Sequence, residues 1–183
     1  MILIEPYSEQ WPEQFAELAG RIRTVLGDRA LRIDHIGSTA VPGLAAKPVI
    51  DVQVTVAALP DASPLAEAGF REIPGMRDHR PPGAAGTDQD WQKRLFNPEE
   101  RRANVHVRVA GRANQRYALL FRDYLRVHPL TAEAYGELKR RLAAEISDRR
   151  VYADVKDPAC DLIALAAEDW AERTGWTPGP SDA

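Results

Sequence analysis

The sequence has one cysteine in 183 residues, so neither an internal disulfide nor a multi-thiolate metal centre can form within the chain. No run of ~18 apolar residues of the kind that spans a bilayer occurs, and the opening MILIEPYSEQW carries Glu5 where an export signal carries positive charge. Positive charge is also not in excess. There are 24 Lys and Arg against 27 Asp and Glu, a formal net charge of −3, which argues against a general nucleic-acid binder whose affinity comes from neutralising phosphates over a basic face. These absences point to a cytoplasmic globular protein in which any basic pocket is local. What is present fits that reading: 44% apolar residues fill a core, and 28% charged residues are balanced in sign. The length suits one domain over about residues 1–176, with Thr177–Ala183 expected to be a flexible tail.

Periodicity places the elements. Trp11, Phe15, Leu18, Ile22 and Val25 share one helix face, with Pro12 in the first turn and Gly27 at the end. Leu31 to Ile36 reads as a strand running into the turn cluster Gly37–Gly43, and Val49 to Val56 reads as a strand whose Asp51, Gln53 and Thr55 share a face. A short helix over Leu65–Gly69 and a strand over Phe70–Ile73 follow. From Pro74 to Asp90 the chain is rich in Gly, Pro and Asp, long for a connection inside a compact domain, so the segment is either mobile or a functional lid. Lys93–Phe96 and Asn104–Val109 form a hairpin around the polar turn 97–102, with Asn104, His106 and Arg108 on one face. Beyond it the stripes Tyr117, Phe121, Tyr124, Leu125 and Tyr135, Leu138, Leu142, Ile146 predict two helices separated at Pro129. Asp157-Pro158 starts a last helix that ends before Gly175.

The chemistry-bearing stretch is His35-Ile36-Gly37-Ser38-Thr39, a strand entering a tight turn whose N–H groups and hydroxyls suit phosphate oxygens. Asp51 follows on the next strand, a hard oxygen ligand for Mg²⁺. Lys47, Lys93, Arg94 and Arg108 border the same sheet face and would make a cationic cleft in an acidic protein. His106 faces Asp51 and Gln53 as a general base, a ligand or a hydrogen-bonded filler. His35 reads as structural, and Trp91 either covers the cleft or packs on the core. Arg122, Arg126 and Lys139 read first as solvated helix positions, with Arg122 and Arg126 weighed also as reaching the cleft. Tyr152 and Lys156, four apart, either add a hydroxyl and an ammonium to the site or pack a helix. Cys160 reads as a buried, inert thiol.

HIGSTAVPGLAAKPVIDVQV at 35–54, with VHVRV, FRDYLRVHP, EAYGELKRRLA and the Tyr152–Lys156 segment, resembles the GrpB family of the nucleotidyltransferase superfamily from about Tyr7 to Trp170. Family members occur alone or fused to dephospho-CoA kinase; this chain has no Walker A loop and is similar to the stand-alone form. The resemblance implies an α+β fold: a small mixed sheet with helices on one face and a C-terminal helical segment. It also implies a polar cleft for a nucleotide or other phosphorylated small molecule.

Carried onto this sequence, the family's phosphate-holding motif falls on Gly37 and Ser38, with Thr39, Lys47, Lys93 and Arg108 as further phosphate contacts. Its metal carboxylates fall on Asp51, Gln53 and His106, only the first of which is a carboxylate. The implied activity is transfer of a nucleotidyl or phosphoryl group with Mg²⁺ or Mn²⁺, with Asp51 and His106 as the catalytic pair. The rival reading is a ligand-binding or accessory module with a degenerate metal site, for which a protein partner is conceivable. A membrane partner is not expected. An RNA-modifying role is disfavoured by the charge and by the lack of a basic, aromatic-interleaved segment.

Overall fold

The computed structural model describes residues 2–100 and 102–183; Met1 and Arg101, inside the expected domain and hairpin turn, lie outside the described residues. Five strands build one mixed sheet: β1 (Arg32–Ile36), β2 (Ile50–Val56), β3 (Phe70–Ile73), β4 (Arg94–Pro98) and β5 (Ala103–Val109), in the order β1-β2-β5-β4-β3. Only β2 and β5 are parallel; the other neighbours are antiparallel. The helices are α1 (Trp11–Leu26), the short α2 (Pro64–Glu67), α3 (Ala113–Val127), α4 (Pro129–Glu145) and α5 (Arg149–Thr174). None of the described helices is long and apolar enough to cross a membrane.

Strand alternation separates two environments. Val52, Val54 and Val56 of β2 and Val105 and Val107 of β5 pack on Trp11, Phe15, Leu18 and Ile22 of α1 to form one core. The opposite face carries Asp51, Gln53, Thr55, Asn104, His106 and Arg108, brought side by side by the parallel register Asp51↔Asn104, Gln53↔His106 and Thr55↔Arg108. A second core of Leu120, Tyr124, Leu125, Tyr135, Ile163 and Ala167 joins α3, α4 and α5, and this three-helix layer stands over the polar face.

Three elements depart from the sequence expectations. The last helix begins eight residues or more before Asp157-Pro158: Asp148 caps it by accepting from the N–H groups of Arg150 and Val151, and Pro158 lies inside it. An internal proline costs roughly 3 kcal/mol; the buried side chains of Tyr152, Cys160, Ile163 and Ala167 on both sides of it hold the helix continuous. The tail expected to fray runs along the free edge of β1: the Ser181 hydroxyl accepts from Ile33 N–H at 2.9 Å, Ala183 N–H donates to Ile33 O at 3.1 Å, and Arg32 donates to the Gly179 and Pro180 carbonyls. An unpaired strand edge offers those bonds to any adjacent chain. The Gly/Pro-rich segment after β3 is tied down by an Arg77–Gln92 bridge, a single 3-10 turn at Asp88–Trp91 and the insertion of Asp78 into the polar face.

Candidate functional site

The polar face divides into two clusters. The first is a closed ionic network. Asp78, from the segment after β3, receives Lys93 Nζ at 2.6 Å and Arg108 Nη2 at 2.7 Å on Oδ1, and Arg108 Nε at 2.7 Å and Asn114 Nδ2 at 3.0 Å on Oδ2. Burial alone would raise the Asp78 carboxyl; the Arg108 guanidinium and the Lys93 ammonium override it and hold the group well below the usual carboxylate range. Arg108 Nη1 donates to Gln53 Oε1 at 2.7 Å, and Gln53 Nε2 donates to the Gln115 carbonyl at 3.1 Å. Lys93 and Arg108, expected to meet phosphate, therefore spend their charge on Asp78, and both ends of the Gln53 amide are used.

The same network reaches the residues expected to hold a metal. Lys93 also reaches His106 Nδ1 at 3.1 Å. An ammonium has no lone pair, so Nδ1 accepts and the proton sits on Nε2, which donates to Asp51 Oδ1 at 3.3 Å. Burial lowers the His106 pKa and keeps the ring neutral, with the Asp51 bond working against that shift. Burial would raise the Asp51 pKa, but bonds from His106 and from Asn104 Nδ2 at 2.8 Å bring it down. Asn97 Nδ2 donates to Asn104 Oδ1 at 2.9 Å and fixes that amide's orientation. His106 thus bonds Asp51 directly while Gln53 is turned to Arg108 and Gln115, and among the described residues no three His, Cys, Asp or Glu side chains gather as metal ligands. This donor set does not fit Mg²⁺ or Mn²⁺, which need several free oxygens.

The second cluster is an open cleft of about 430 Å³ between the end of β1 and the helix layer. Its rim begins at Gly37, whose φ of +70° and whose approach to Asp51 exclude a side chain: a Cβ there would lie 2.6 Å from Asp51 Oδ2. The following turn, Ser38–Ala40, is held from behind. Thr39 Oγ1 is 3.0 Å from His35 Nε2, and Arg126 Nε donates to the Ala40 carbonyl at 2.9 Å. The His35 ring stacks on Phe15 at 4.8 Å, and burial lowers its pKa to about 4. Arg122 is 3% exposed and donates to the His35 carbonyl, Asp123 and Asp182. Arg122 and Arg126 brace the turn and do not line the cleft.

Facing the turn is Lys139 of α4, whose Nζ donates to Ser38 Oγ at 2.8 Å and lies 4.6 Å above the Tyr135 ring. It is 4% exposed and forms no ion pair among the described residues; burial pushes its pKa down to about 7. Lys47 lies 4.0 Å above the Tyr152 ring, also without an ion pair among the described residues. Burial, with Lys156 adding to it, lowers its pKa. The Tyr152 hydroxyl is buried and has no hydrogen-bond partner among the described residues. Lys156 donates to Cys160 Sγ at 3.0 Å and to Asp157 at 3.3 Å, and Tyr135 OH lies 3.3 Å from the same sulfur. Cys160 is buried, as expected, but it lines the cleft next to an ammonium. Tyr117, Phe121 and Tyr135 form an aromatic wall at ring separations of 6.0 and 6.1 Å. Trp91 packs edge-on against Tyr117 at 5.7 Å, bonds to the Ala85 carbonyl and lines a second cavity instead of covering the cleft.

Of the expected phosphate contacts, Gly37, Ser38, Thr39 and Lys47 meet at this cleft and Lys93 and Arg108 do not. Sequence reasoning missed Asp78 and undervalued Lys139. The signal for Lys139 was its place four residues after Tyr135, on a helix face that is otherwise apolar; nothing local marked Asp78.

Comparison with known proteins agrees with this architecture. The family model described as GrpB protein matches residues 1–165. The crystal structure of conserved protein GrpB from Enterococcus faecalis superposes with a TM-score of 0.75 at 30% identity, covering 92% of this chain and 99% of that one. UPF0157 protein BH1888 of Halalkalibacterium halodurans is 35% identical over 172 residues, 91% of this chain and 82% of that protein. The Dephospho-CoA kinase of Mycolicibacterium paratuberculosis is 36% identical over 197 aligned residues, 97% of this chain but 48% of that protein. The chain thus spans about half the length of the curated kinases it matches. A family match over most of the chain, with sequence and structural relatives in agreement, makes this chain a member of the GrpB family.

Proposed function

We propose that the cleft binds a nucleotide or a closely related phosphorylated compound. The carrying observation is that three lysines, Lys47, Lys139 and Lys156, line the cleft and among the described residues only Lys156 has an ion pair, so that Lys47 stands as a cation without one, while Lys93 and Arg108 nearby are fully paired. A buried cation without a counter-charge is costly unless an anion completes it. The phosphate lies between the Ser38 turn, Lys47 and Lys156, where charge-assisted hydrogen bonds are strongest. The Tyr152 hydroxyl supplies a further donor. A flat heterocycle rests on the Tyr117–Phe121–Tyr135 wall, and Asp51 and Asn104 on the cleft floor meet its hydroxyls. Relatives named dephospho-CoA kinase agree in kind with such a ligand.

Metal-assisted nucleotidyl transfer through Asp51, Gln53 and His106 is not part of the proposal, because both ends of the Gln53 amide are taken by Arg108 and Gln115, both His106 ring nitrogens by Lys93 and Asp51, and Asp51 Oδ1 by Asn104 and His106, which leaves one carboxylate oxygen facing the cleft. The test is a thermal-shift series with ATP, ADP, coenzyme A precursors and inorganic phosphate, each with Mg²⁺ and with EDTA. A ligand at 100 times its Kd adds about 2.7 kcal/mol, a rise of several degrees in Tm. The expected shift persists in EDTA and disappears in Lys47→Ala/Lys156→Ala; a shift that needs metal, or that survives loss of both lysines, refutes the reading.

A further inference from the structure

Ser38 and Lys139 have a relation that phosphate binding alone does not require. Their side chains are 2.8 Å apart, and the amine has no other hydrogen-bond partner among the described residues. It is nearly sealed from water, in contact with an aromatic face. A lysine kept for charge alone is normally solvated or ion-paired, whereas one withdrawn from both gives up its proton easily and becomes a base. The hydroxyl is equally constrained. Gly37 admits no side chain against Asp51, Thr39 is fastened to His35, and Ala40 to Arg126, so the turn presents Ser38 Oγ from a rigid support at the cleft. Once the amine is deprotonated the 2.8 Å bond can reverse, the Ser38 hydroxyl donating to the nitrogen, and with cations across the cleft to offset developing charge this is the arrangement of an activated nucleophile.

We propose that Ser38 and Lys139 form a nucleophile–base pair in which Ser38 Oγ accepts a phosphoryl group from an activated phosphate compound held in the cleft. The proposal rests on the phosphate-binding reading above. In the step, the Oγ–P bond forms while the bond from phosphorus to its leaving oxygen breaks. The Ser38 proton passes to the Lys139 amine and from there to the leaving oxygen. The products are phosphoserine and the protonated leaving group, and no electrons are exchanged with an outside partner. Lys47 and Lys156 offset the charge on the phosphoryl oxygens. The groups that set the protonation of Lys139 are Lys156 and Cys160 from α5, Arg140 and Tyr135 from its own helix, and Asp51 from β2. The other titratable side chains on the cleft wall are Lys47, His106, Tyr117 and Tyr152. Burial and the neighbouring Lys156 drive the proton off, and the pKa falls to about 7.

The experiment uses a fluorophosphonate probe, a phosphorus electrophile that loses fluoride, on the full chain, read by intact mass and peptide mapping. The expected result is one adduct, on Ser38, forming at a rate that rises with pH through about 7 and is flat above it. Ser38→Ala gives none. Lys139→Met and Lys139→Arg each slow labelling by roughly 100-fold or more, and Lys139→Arg keeps the positive charge while offering no base, which separates proton transfer from electrostatics. Should Lys139→Met fail to fold, the wild-type pH profile decides: a buried amine that only packs produces no inflection near 7. No adduct, an adduct on Cys160, or a rate indifferent to Lys139 overturns the pair. A parallel ATP thermal shift separates the two readings. ATP binding without labelling removes the nucleophile and leaves the binding site standing; labelling without any phosphate ligand supports the pair and overturns the phosphoryl donor.

Discussion

Two groups of basic residues lie between the polar sheet face and the helix layer, and they differ in what they touch. Lys93 and Arg108 enclose Asp78, share it through four hydrogen bonds with Asn114, and are about 7% and 5% exposed. Lys47 and Lys139 stand over aromatic rings beside an open cleft with no ion pair among the described residues. The first group is complete; the second is the one that the proposed function assigns to a ligand. The lesson is that a basic residue near a phosphate motif becomes informative only when its partners are counted. Buried charges are paired, neutralised or waiting for a ligand; Lys93 and Arg108 are paired, and Lys47 and Lys139 have no ion pair among the described residues.

Breaking the closed network should have the largest effect on stability. Asp78→Asn leaves Lys93 and Arg108 buried without an anion and is expected to cost about 3–5 kcal/mol, lowering Tm by roughly 10 °C in a thermal melt. The same carboxylate gives the protein an acid limit. Its folded pKa lies below the ordinary 3.8 of a free aspartate, so its contribution is present above that pH and is lost as pH falls toward the folded value. An acid titration of unfolding free energy should therefore show a component in wild type that Asp78→Asn lacks.

The open cleft should respond in the opposite way. Lys47→Ala/Lys156→Ala is expected to move Tm by no more than a few degrees but to weaken a nucleotide by about 1.5–3 kcal/mol per lost charged hydrogen bond, measured by titration calorimetry. If this double variant unfolds while Asp78→Asn does not, the assignment of structural and ligand-facing roles is reversed.

A smaller effect sharpens the comparison at the turn itself. Asp182 accepts from Arg122 at 2.7 Å and from the His35 backbone N–H at 2.9 Å, so Asp182→Ala should cost roughly 1 kcal/mol and lower Tm by about 3 °C without changing ligand affinity. Lys139 is read out in the pH dependence of stability and not in a single Tm. With a folded pKa near 7 against 10.5 for the free side chain, the unfolded chain binds the extra proton between those values, so this group makes stability rise with pH across that window. Lys139→Met should flatten that rise.

How much of this was legible in the sequence follows from the range of the interactions. The strands, the opening helix and the alternation that places Asp51, Gln53, Asn104, His106 and Arg108 on one face are local patterns, and they appear in the structure within a residue or two. The Gly37-Ser38 turn was legible because a left-handed backbone and a short hydroxyl are written in consecutive residues. The pairing of Lys93 and Arg108 with Asp78 was not. Asp78 reaches them across 15 and 30 residues of sequence, from a segment whose composition carries no periodic signal. Pro158 misled for a related reason, since the local rule against an internal proline gave way to packing on either side of it. Lys139 was half-visible: its spacing from Tyr135 put it on a buried face, but the Ser38 contact spans 101 residues.

The central claim is that the cleft is complete only with a phosphate-bearing ligand held by lysines and not through a metal. The most direct measurement is calorimetric titration of ATP into wild type and Lys47→Ala/Lys156→Ala in the presence of EDTA. The account predicts saturable binding to wild type without divalent metal, weakened at least tenfold in the double variant. Binding that appears only when Mg²⁺ is restored, or that is equal in the two proteins, would contradict it.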